Sequence, residues 1–168
     1  MTKTPHPDDR QFTPINCAII TISDTRTTET DTGGQLANQL LSSAGHEVKF
    51  YQIVPDEPTQ IIALLNQLAN EGAIQAVILS GGTGISPRDR TCETLNSLLE
   101  KILPGFGELF RSLSYAEIGS RAISSRSIAG TYRQMIIFAL PGSRGAVELG
   151  ITKIILPELP HLIKQLST

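Results

Sequence analysis

The sequence predicts an α/β domain of three layers (α/β/α), in which a mostly parallel β-sheet lies between helices. Three observations support this fold class. Short apolar runs rich in β-branched residues alternate with segments whose apolar residues recur at helical spacing. The apolar runs are nearly continuous, which is typical of strands buried on both faces of a parallel sheet. Three such strand-and-helix alternations favour right-handed crossover connections, with helices on both faces of the sheet.

In the first half of the chain we predict three strands and two helices. The strands are expected over residues 15–23, 48–54 and 76–80. The first helix has apolar residues at Leu36, Leu40 and Leu41 and ends near Gly45, a residue type suited to a helix C-terminus. The second helix begins at Pro58, because proline is tolerated in a first helical turn, and ends before Gly72.

The second half of the chain has a less regular pattern. A helix is expected over residues 107–115, and strands are expected near Ala129 and over residues 135–140. A helical pattern then starts at Ala146. Pro157 and Pro160 interrupt this pattern, so we expect a break there and a short last helix that ends near Leu166.

The length of the chain, 168 residues, suits one domain with a substantial core. Residues 1–13 are polar and contain prolines, so they are interpreted as a flexible lead-in, and residues 14–168 as a single domain. This lead-in lacks the features of a signal peptide, and no apolar run approaches the roughly 20 residues that span a bilayer. We therefore expect a cytoplasmic protein without a membrane segment.

A glycine-rich turn follows the third predicted strand, and we call residues 81–84 the glycine loop. Gly81, Gly82 and Gly84 allow positive φ and let bare N–H groups approach an anion, which fits a phosphate. We expect the hydroxyl of Thr83 to be a further phosphate ligand. Asp89 follows closely, and a carboxylate beside a bound anion usually needs a cation between them. The sequence thus predicts a phosphate site with Mg²⁺.

Other polar residues follow the neighbouring strands. Because ligands gather beyond the carboxyl ends of parallel strands, we expect these segments to meet the glycine loop. From composition alone, Asp56 is predicted to be a helix cap before Pro58. The remaining segments are predicted to bind substrate, with an ordinary turn or cap as the alternative. The segments are Ser23 and Asp24 after the first strand, Asp56 after the second, and Pro141, Gly142 and Ser143 after the strand over residues 135–140.

Charge is predicted to act locally in this chain. A net charge of −2 provides no general attraction to nucleic acid or to an anionic membrane. Arg88 and Arg126 lie in the glycine-rich region, and arginine suits phosphate oxygens. Neither a P-loop motif nor the glycine motif of a dinucleotide-binding fold is present, so those nucleotide sites are disfavoured.

Five segments, in this order, resemble the MoaB and MogA family of molybdenum cofactor biosynthesis proteins, across roughly residues 14–166. The amino-acid sequence around Phe110 and Ile128 is more similar to the MoaB branch. The five segments are Thr21-Ile-Ser-Asp-Thr, Ser80-Gly-Gly-Thr-Gly-Ile-Ser-Pro-Arg-Asp89, Pro104-Gly-Phe-Gly-Glu108, Ser124-Ser-Arg-Ser127 and Ala139-Leu-Pro-Gly-Ser143.

The resemblance implies an α/β/α domain that assembles as a homotrimer or as a hexamer of paired trimers. It also implies that the chain binds molybdopterin and, with Mg²⁺, transfers AMP from ATP to the terminal phosphate of molybdopterin. Asp56 and Asp89 match two aspartates of the catalytic members, where they are suited to holding Mg²⁺. Ser125 and Arg126 match a pair associated with pterin binding. Contact with a molybdenum-insertion enzyme is a further implication.

Two alternatives stay open at this point. The chain could instead be a non-catalytic molybdopterin-binding or carrier protein of the same pathway, or the fold could act on another nucleotide-linked substrate. One residue departs from the family pattern: Gly33 stands where the family more often has serine. A hydroxyl contact at that position is therefore in question, whereas the fold should tolerate the change.

Overall fold

The computed structural model describes residues 12–168 and has a six-stranded sheet with helices on both faces. The strands are β1 (Asn16–Ile22), β2 (Glu47–Val54), β3 (Ala76–Ser80), β4 (Lys101–Ile102), β5 (Ile128–Tyr132) and β6 (Met135–Leu140). The helices are α1 (Thr32–Ser43), α2 (Pro58–Glu71), α3 (Thr91–Leu98), α4 (Pro104–Ile118), α5 (Arg144–Gly150) and α6 (Leu156–Leu166). A 3-10 turn follows α4 (Gly119–Ser124), and a π-helical turn joins α5 to α6 (Ile151–Ile155).

The sheet has the strand order β2-β1-β3-β6-β5-β4. The strands from β2 to β6 in this order pair in parallel, whereas β5 pairs antiparallel with both β6 and β4. The predicted mostly parallel sheet is confirmed. Because β1 lies between β2 and β3, the winding direction reverses there, and a crevice forms beyond the carboxyl ends of β1 and β3.

Side chains of alternate strand residues enter two separate cores. On one face, Cys17 and Ile19 pack in a core with residues of α1, α4, α5 and α6. On the other face, Ala18 and Ile20 pack in a core with residues of α2 and α3. Strands that are apolar on both faces therefore produce the three layers that the sequence predicts.

Two short elements were not expected from the sequence. Helix α3 has only eight residues, and few of them are buried and apolar, so its helical spacing is weak. Strand β4 has two exposed residues and thus no alternating pattern to detect. Helix α4 is longer than expected because it begins at Pro104, in the position that tolerates proline, and continues to Ile118.

The expected break at the two prolines near the C-terminus is wrong, because the backbone remains helical from Arg144 to Leu166. In the π-helical turn, the Leu156 N–H donates to the Ile151 carbonyl, five residues earlier. This change from the α-helical to the π-helical hydrogen-bond pattern leaves one backbone carbonyl without an N–H partner. Pro157, which has no N–H to donate, therefore fits directly after the turn. Pro160 is exposed, and the buried Leu159 beside it holds the helix on the core.

Most of the predicted lead-in, residues 1–11, lies outside the described residues. Phe12, which is described, is mostly exposed, and its ring lies beside that of His46 with the centroids 5.4 Å apart. Among the helices within residues 12–168, none combines the length and the apolar character that crossing a membrane requires.

Candidate functional site

The loops that follow β1, β2, β3 and β6 contact one another at one edge of the sheet. The N–H of Asp56 donates to Asp24 Oδ1 at 3.3 Å, which joins the loops after β1 and β2. The Gly81 N–H donates to the Leu140 carbonyl at 3.0 Å, and a Cβ on Gly142 would lie 3.2 Å from the Gly81 Cα. The predicted segments from four strands therefore meet around the glycine loop.

The glycine loop has the predicted positive φ at two positions. Gly81 has φ 107° and Gly82 has φ 65°. A Cβ on Gly81 would lie 2.2 Å from the Ile22 carbonyl oxygen, and one on Gly82 would lie 2.2 Å from Asp56 Oδ2. Crowding by the protein itself thus requires glycine here, in addition to any ligand.

Three successive N–H groups of this loop are free to bind an anion. Within residues 12–168, no hydrogen bond uses the N–H of Gly82, Thr83 or Gly84. Adjacent backbone N–H groups of this kind form anion-binding concavities, because their partial positive charges add. This arrangement is consistent with the predicted phosphate site.

Asp56 is a buried carboxylate, and one of its two oxygens accepts no hydrogen bond from the described residues. Its Oδ2 accepts from the Arg90 N–H at 2.9 Å, whereas its Oδ1 is buried and has no partner among the described groups. Burial raises the pKa of Asp56, and the nearby charges of Asp89 and Asp24 add to this effect. Composition alone predicted a helix cap, which is wrong because Glu57 occupies the N-cap position of α2.

Asp89 contacts the other end of the glycine loop. Its Oδ2 accepts from the Ser86 N–H at 2.9 Å, and a Cβ on Gly84 would lie 2.6 Å from the same oxygen. Asp56 lies against Gly82 in the corresponding way. The two predicted catalytic aspartates are therefore brought to the same four-residue loop.

Arg88 joins three loops through carboxylates. Its Nε and Nη2 donate to the two oxygens of Asp24 at 2.7 and 2.8 Å, and its Nη1 donates to Glu57 at 2.6 Å. The hydrogen bonds from Arg88 hold the pKa of Asp24 below its usual value. Arg88, predicted as a phosphate ligand, thus lies at the site but is paired with acidic groups.

The guanidinium group of Arg126 donates hydrogen bonds to backbone carbonyl oxygens of the glycine loop. Its Nε donates to the Thr83 carbonyl at 3.1 Å and its Nη2 to the Gly84 carbonyl at 2.5 Å, while Nη1 pairs with Glu93. The Ser125 carbonyl accepts from Arg111 at 3.5 Å. The predicted pair of Ser125 and Arg126 is therefore next to the glycine loop.

Among the described residues, Asp56 and Asp89 are the carboxylates at this site that have no cationic partner. In the described part of the chain, Asp24, Glu57 and Glu93 form salt bridges with arginines, and neither Asp56 nor Asp89 does. No group of three metal-ligating side chains occurs in that part. Two carboxylates fit Mg²⁺ nevertheless, since this ion takes its other ligands from water and substrate phosphates. The unpartnered Asp56 Oδ1 supports the fit.

Two shallow depressions are lined by residues next to the candidate site, not by the glycine loop itself. One, of about 560 Å³, lies along the last residues of β2 and the loop after β1 and is lined by residues that include Ser23, Arg26 and Tyr51. The other, of about 400 Å³, is lined by residues that include Cys92, Ser125 and Arg126.

Two predicted ligand residues have structural roles. Ser23 Oγ accepts from the N–H groups of Thr25 and Arg26 at 3.2 and 3.1 Å, which makes a turn. Ser143 Oγ accepts from the Ala146 N–H at 3.3 Å and caps α5. The turn and cap interpretations account for both hydroxyls, and their roles as ligands stay predictions.

A buried network beside the site was not predicted. Asp31 is fully buried and accepts from the Tyr51 hydroxyl at 2.5 Å and from the Gly34 N–H at 3.0 Å. Arg26 lies 3.5 Å from Asp31 and donates to the Gly142 carbonyl at 3.0 Å. Only Asp31 had a detectable signal, as an aspartate at the start of a helical pattern. Nothing in the sequence pairs it with Arg26 or Tyr51.

Gly33 and Gly34 are adjacent, and we expect opposite effects when each is replaced with alanine. A Cβ on Gly33 has only ordinary contacts, 3.6 Å from its nearest neighbours. Gly33→Ala should therefore raise the free energy of unfolding by about 0.5–1 kcal/mol, as for a helical glycine. A Cβ on Gly34 would lie 2.2 Å from Asp31 Oδ2, which burial keeps in place. Gly34→Ala should lower the free energy of unfolding, measured by urea titration, by about 1–3 kcal/mol. Equal effects would contradict this comparison.

The chain is similar to known proteins in both sequence and fold. Residues 18–161 match a family described as "Probable molybdopterin binding domain". The protein named molybdenum cofactor biosynthesis protein B from Staphylococcus carnosus is 49% identical over 170 residues, which is 99% of each chain.

Two solved structures have the same fold. A crystal structure of a molybdenum cofactor biosynthesis protein B superimposes with a TM-score of 0.89 and 47% identity, covering 92% of this chain and 97% of the other. The tungsten cofactor synthesizing protein MoaB from Pyrococcus furiosus superimposes with a TM-score of 0.83 and 34% identity, covering 94% of this chain and 100% of the other.

Proposed function

The chain belongs to the molybdopterin-binding domain family of MoaB and MogA, and on this premise we propose that it adenylylates molybdopterin in molybdenum cofactor biosynthesis. In this reaction an oxygen of the terminal phosphate of molybdopterin attacks the α-phosphorus of ATP. The bond from that phosphorus to the bridging oxygen breaks, and pyrophosphate leaves. The product is adenylyl-molybdopterin.

One observation carries the proposal: Asp56 and Asp89 lie against the same glycine loop, and within residues 12–168 neither has a cationic partner and the buried Asp56 Oδ1 has no hydrogen bond. Burying a carboxylate in this state is costly, which favours a cation in the working enzyme. Asp56 and Asp89 would hold Mg²⁺, and when bound this ion neutralises phosphate charge that repels the attacking oxygen.

The remaining groups position the substrates. The free N–H groups of Gly82, Thr83 and Gly84 suit a phosphate group, and the carbonyl contacts of Arg126 hold these groups in place. Joining two anionic molecules depends mainly on alignment and charge neutralisation, so no covalent nucleophile is needed. The two depressions, one beside the loop after β1 and one beside Arg126, offer separate places for the two substrates.

One observation favours the alternative, a molybdopterin carrier without catalysis. Arg88 and Arg126, the cations expected to bind phosphate, are both paired with carboxylates. A site with few available cations is less suited to the triphosphate of ATP than to a single phosphate.

A turnover assay separates these two functions. The purified chain is mixed with molybdopterin, ATP and Mg²⁺, and the release of pyrophosphate and the formation of adenylyl-molybdopterin are followed. The enzyme should release one pyrophosphate per adenylyl-molybdopterin formed, only when all three components are present. Molybdopterin binding without AMP transfer would support the carrier and contradict the adenylyltransferase.

We also propose that the chain forms a homotrimer or a hexamer, and apolar side chains exposed at the end of α4 support this. Tyr115 and Ile118 are 65% and 53% exposed, and Ile123 in the following 3-10 turn is 88% exposed. Exposed apolar groups of this size mark interaction surfaces when they are adjacent.

The double substitution Tyr115→Glu and Ile118→Glu is therefore expected to reduce the assembly to monomers in light scattering, because charges would be buried at the interface. Phe12→Glu, which changes an exposed aromatic residue outside α4, is the control and should keep the assembly. A monomeric wild-type chain at micromolar concentration would contradict the proposal.

A further inference from the structure

Asp31 is a fully buried carboxylate that has more partners than a helix cap requires. As the N-cap of α1, it needs only the bond from the Gly34 N–H to Oδ1. Its Oδ2 also accepts from the Tyr51 hydroxyl on β2, and Arg26 from the loop after β1 lies 3.5 Å from Oδ1. A buried charge is tolerated only when it is paired in this way, so the position of Arg26 is tied to Asp31.

Arg26 connects Asp31 to the loop after β6. Its Nη2 donates to the Gly142 carbonyl at 3.0 Å, and its side chain is about one third exposed, at the wall of the larger depression. Gly142 in turn abuts Gly81, because a Cβ on Gly142 would lie 3.2 Å from the Gly81 Cα. A continuous series of contacts therefore runs from Asp31 to the first residue of the glycine loop.

We propose that Asp31 and Arg26 are positioning residues of the site, which set the separation between the glycine loop and the loop after β6 by holding the Gly142 carbonyl. They do not contact the reacting atoms. In the proposed AMP transfer their effect is on the alignment of the N–H groups that bind phosphate, so this inference rests on the proposed function where activity is concerned. The separation of the two loops is a property of the free protein and can be measured without substrate.

The first test uses Arg26→Gln in the free protein, with Arg133→Gln as the control. Arg133 lies in the turn between β5 and β6, at the other end of β6 from Gly142, and donates to the side-chain oxygens of Asn66 and Asn70 on α2. In ¹H–¹⁵N NMR spectra, Arg26→Gln should shift the amide resonances of Gly81, Gly82 and Gly142. It should also speed exchange of the Gly81 N–H, which donates to the Leu140 carbonyl, by about tenfold or more. Arg133→Gln should change none of these.

Gly33 provides a rescue variant. A Cβ at residue 33 would lie 3.6 Å from both the Gly142 oxygen and Arg26 Nη1, so a serine hydroxyl there could donate to the same carbonyl. Gly33→Ser added to Arg26→Gln should therefore restore part of the slow exchange at Gly81. Gly33→Ala in the same background places a methyl group there without a donor and should not.

Activity gives the second readout. Arg26→Gln and Asp31→Asn should lower kcat for AMP transfer by about 10- to 100-fold with a smaller change in KM. The reason is that the N–H groups that bind phosphate would be misaligned, although neither residue contacts the reacting atoms. If the wild-type chain transfers no AMP, the proposed function fails, and the NMR measurement still decides the positioning role. Unchanged glycine resonances and exchange in Arg26→Gln would overturn that role. A uniform loss of protection throughout the chain would overturn it too, because that is a general stability effect.

Discussion

Asp56→Asn and Asp89→Asn should each lower the rate of AMP transfer by about 100-fold or more, the scale of a lost electrostatic contact in a transition state. Both carboxylates lie against the glycine loop, and the structure pairs neither of them with a cation within residues 12–168. Asparagine keeps the size of the side chain and one acceptor oxygen. The variants therefore remove the charge that would hold Mg²⁺ while preserving the hydrogen bonds from Arg90 and Ser86.

The same substitution at Asp56 should not reduce stability at neutral pH. Burial raises the pKa of Asp56 above its value in the unfolded chain, so the folded state binds this proton more tightly. The contribution of Asp56 to stability is therefore present at low pH and is lost as the pH rises through the folded-state pKa. Because Asp56→Asn removes the buried charge, its free energy of unfolding at pH 7 should equal or exceed that of the wild type.

Three measurements check the predicted effects of these substitutions on rate and stability: steady-state rates, urea unfolding at pH 7, and thermal unfolding with Mg²⁺ and pyrophosphate. The two ligands should raise the melting temperature of the wild type, since binding to the folded state alone stabilises it, and should have little effect on Asp56→Asn. Glu71→Gln makes the same type of change on the exposed end of α2 and is the control. Wild-type rates in both variants would contradict the role of these aspartates.

Gly82→Ala should cause both a loss of activity and a loss of stability. The residue has φ 65°, which costs about 1–2 kcal/mol for a side chain with a Cβ. The added Cβ would also lie 2.1 Å from Thr91 Oγ1 and 2.2 Å from Asp56 Oδ2. Because Asp56 is buried and held by the Arg90 N–H, relief requires movement of the loop itself. We expect a total cost of about 3 kcal/mol or more and AMP transfer reduced by about 100-fold.

Gly105→Ala is the control for this loop substitution. Gly105 lies in the first turn of α4, and a Cβ there meets no atom within 4 Å. This variant should be as stable as the wild type or slightly more stable, with unchanged activity. If urea unfolding showed the same free energy for Gly82→Ala and Gly105→Ala, the crowding at Gly82 would not be the reason for glycine there.

Much of the fold is visible in the sequence because its strands are buried on both faces. The apolar runs over residues 15–23, 48–54 and 76–80 coincide with β1, β2 and β3 within one or two residues. The continuous C-terminal helix was missed because proline is read as a local breaker, whereas the π-helical turn and the buried Leu159 are consequences of tertiary packing. The strand order β2-β1-β3-β6 also depends on tertiary pairing.

The candidate site could be predicted in part. The glycines and aspartates were detectable because they occur in recognisable segments next to strand ends, and the loops do converge. The pairing of Arg88 with Asp24 and Glu57, and of Arg126 with the loop carbonyls, joins residues far apart in the chain. Such contacts leave no periodic signal, so the sequence assigned both arginines to phosphate without indicating their acidic partners.

The order of strands in the sheet has a consequence for biosynthesis of the protein. β3 pairs with β6, which leaves the ribosome only after α3, α4 and β5 have been made. A growing chain can thus carry Asp56, Asp89 and the glycine loop while the loop after β6, in which Gly142 abuts Gly81, is still missing. Because pairing between distant segments is slow, the crevice is completed late, when the last third of the polypeptide docks against β3.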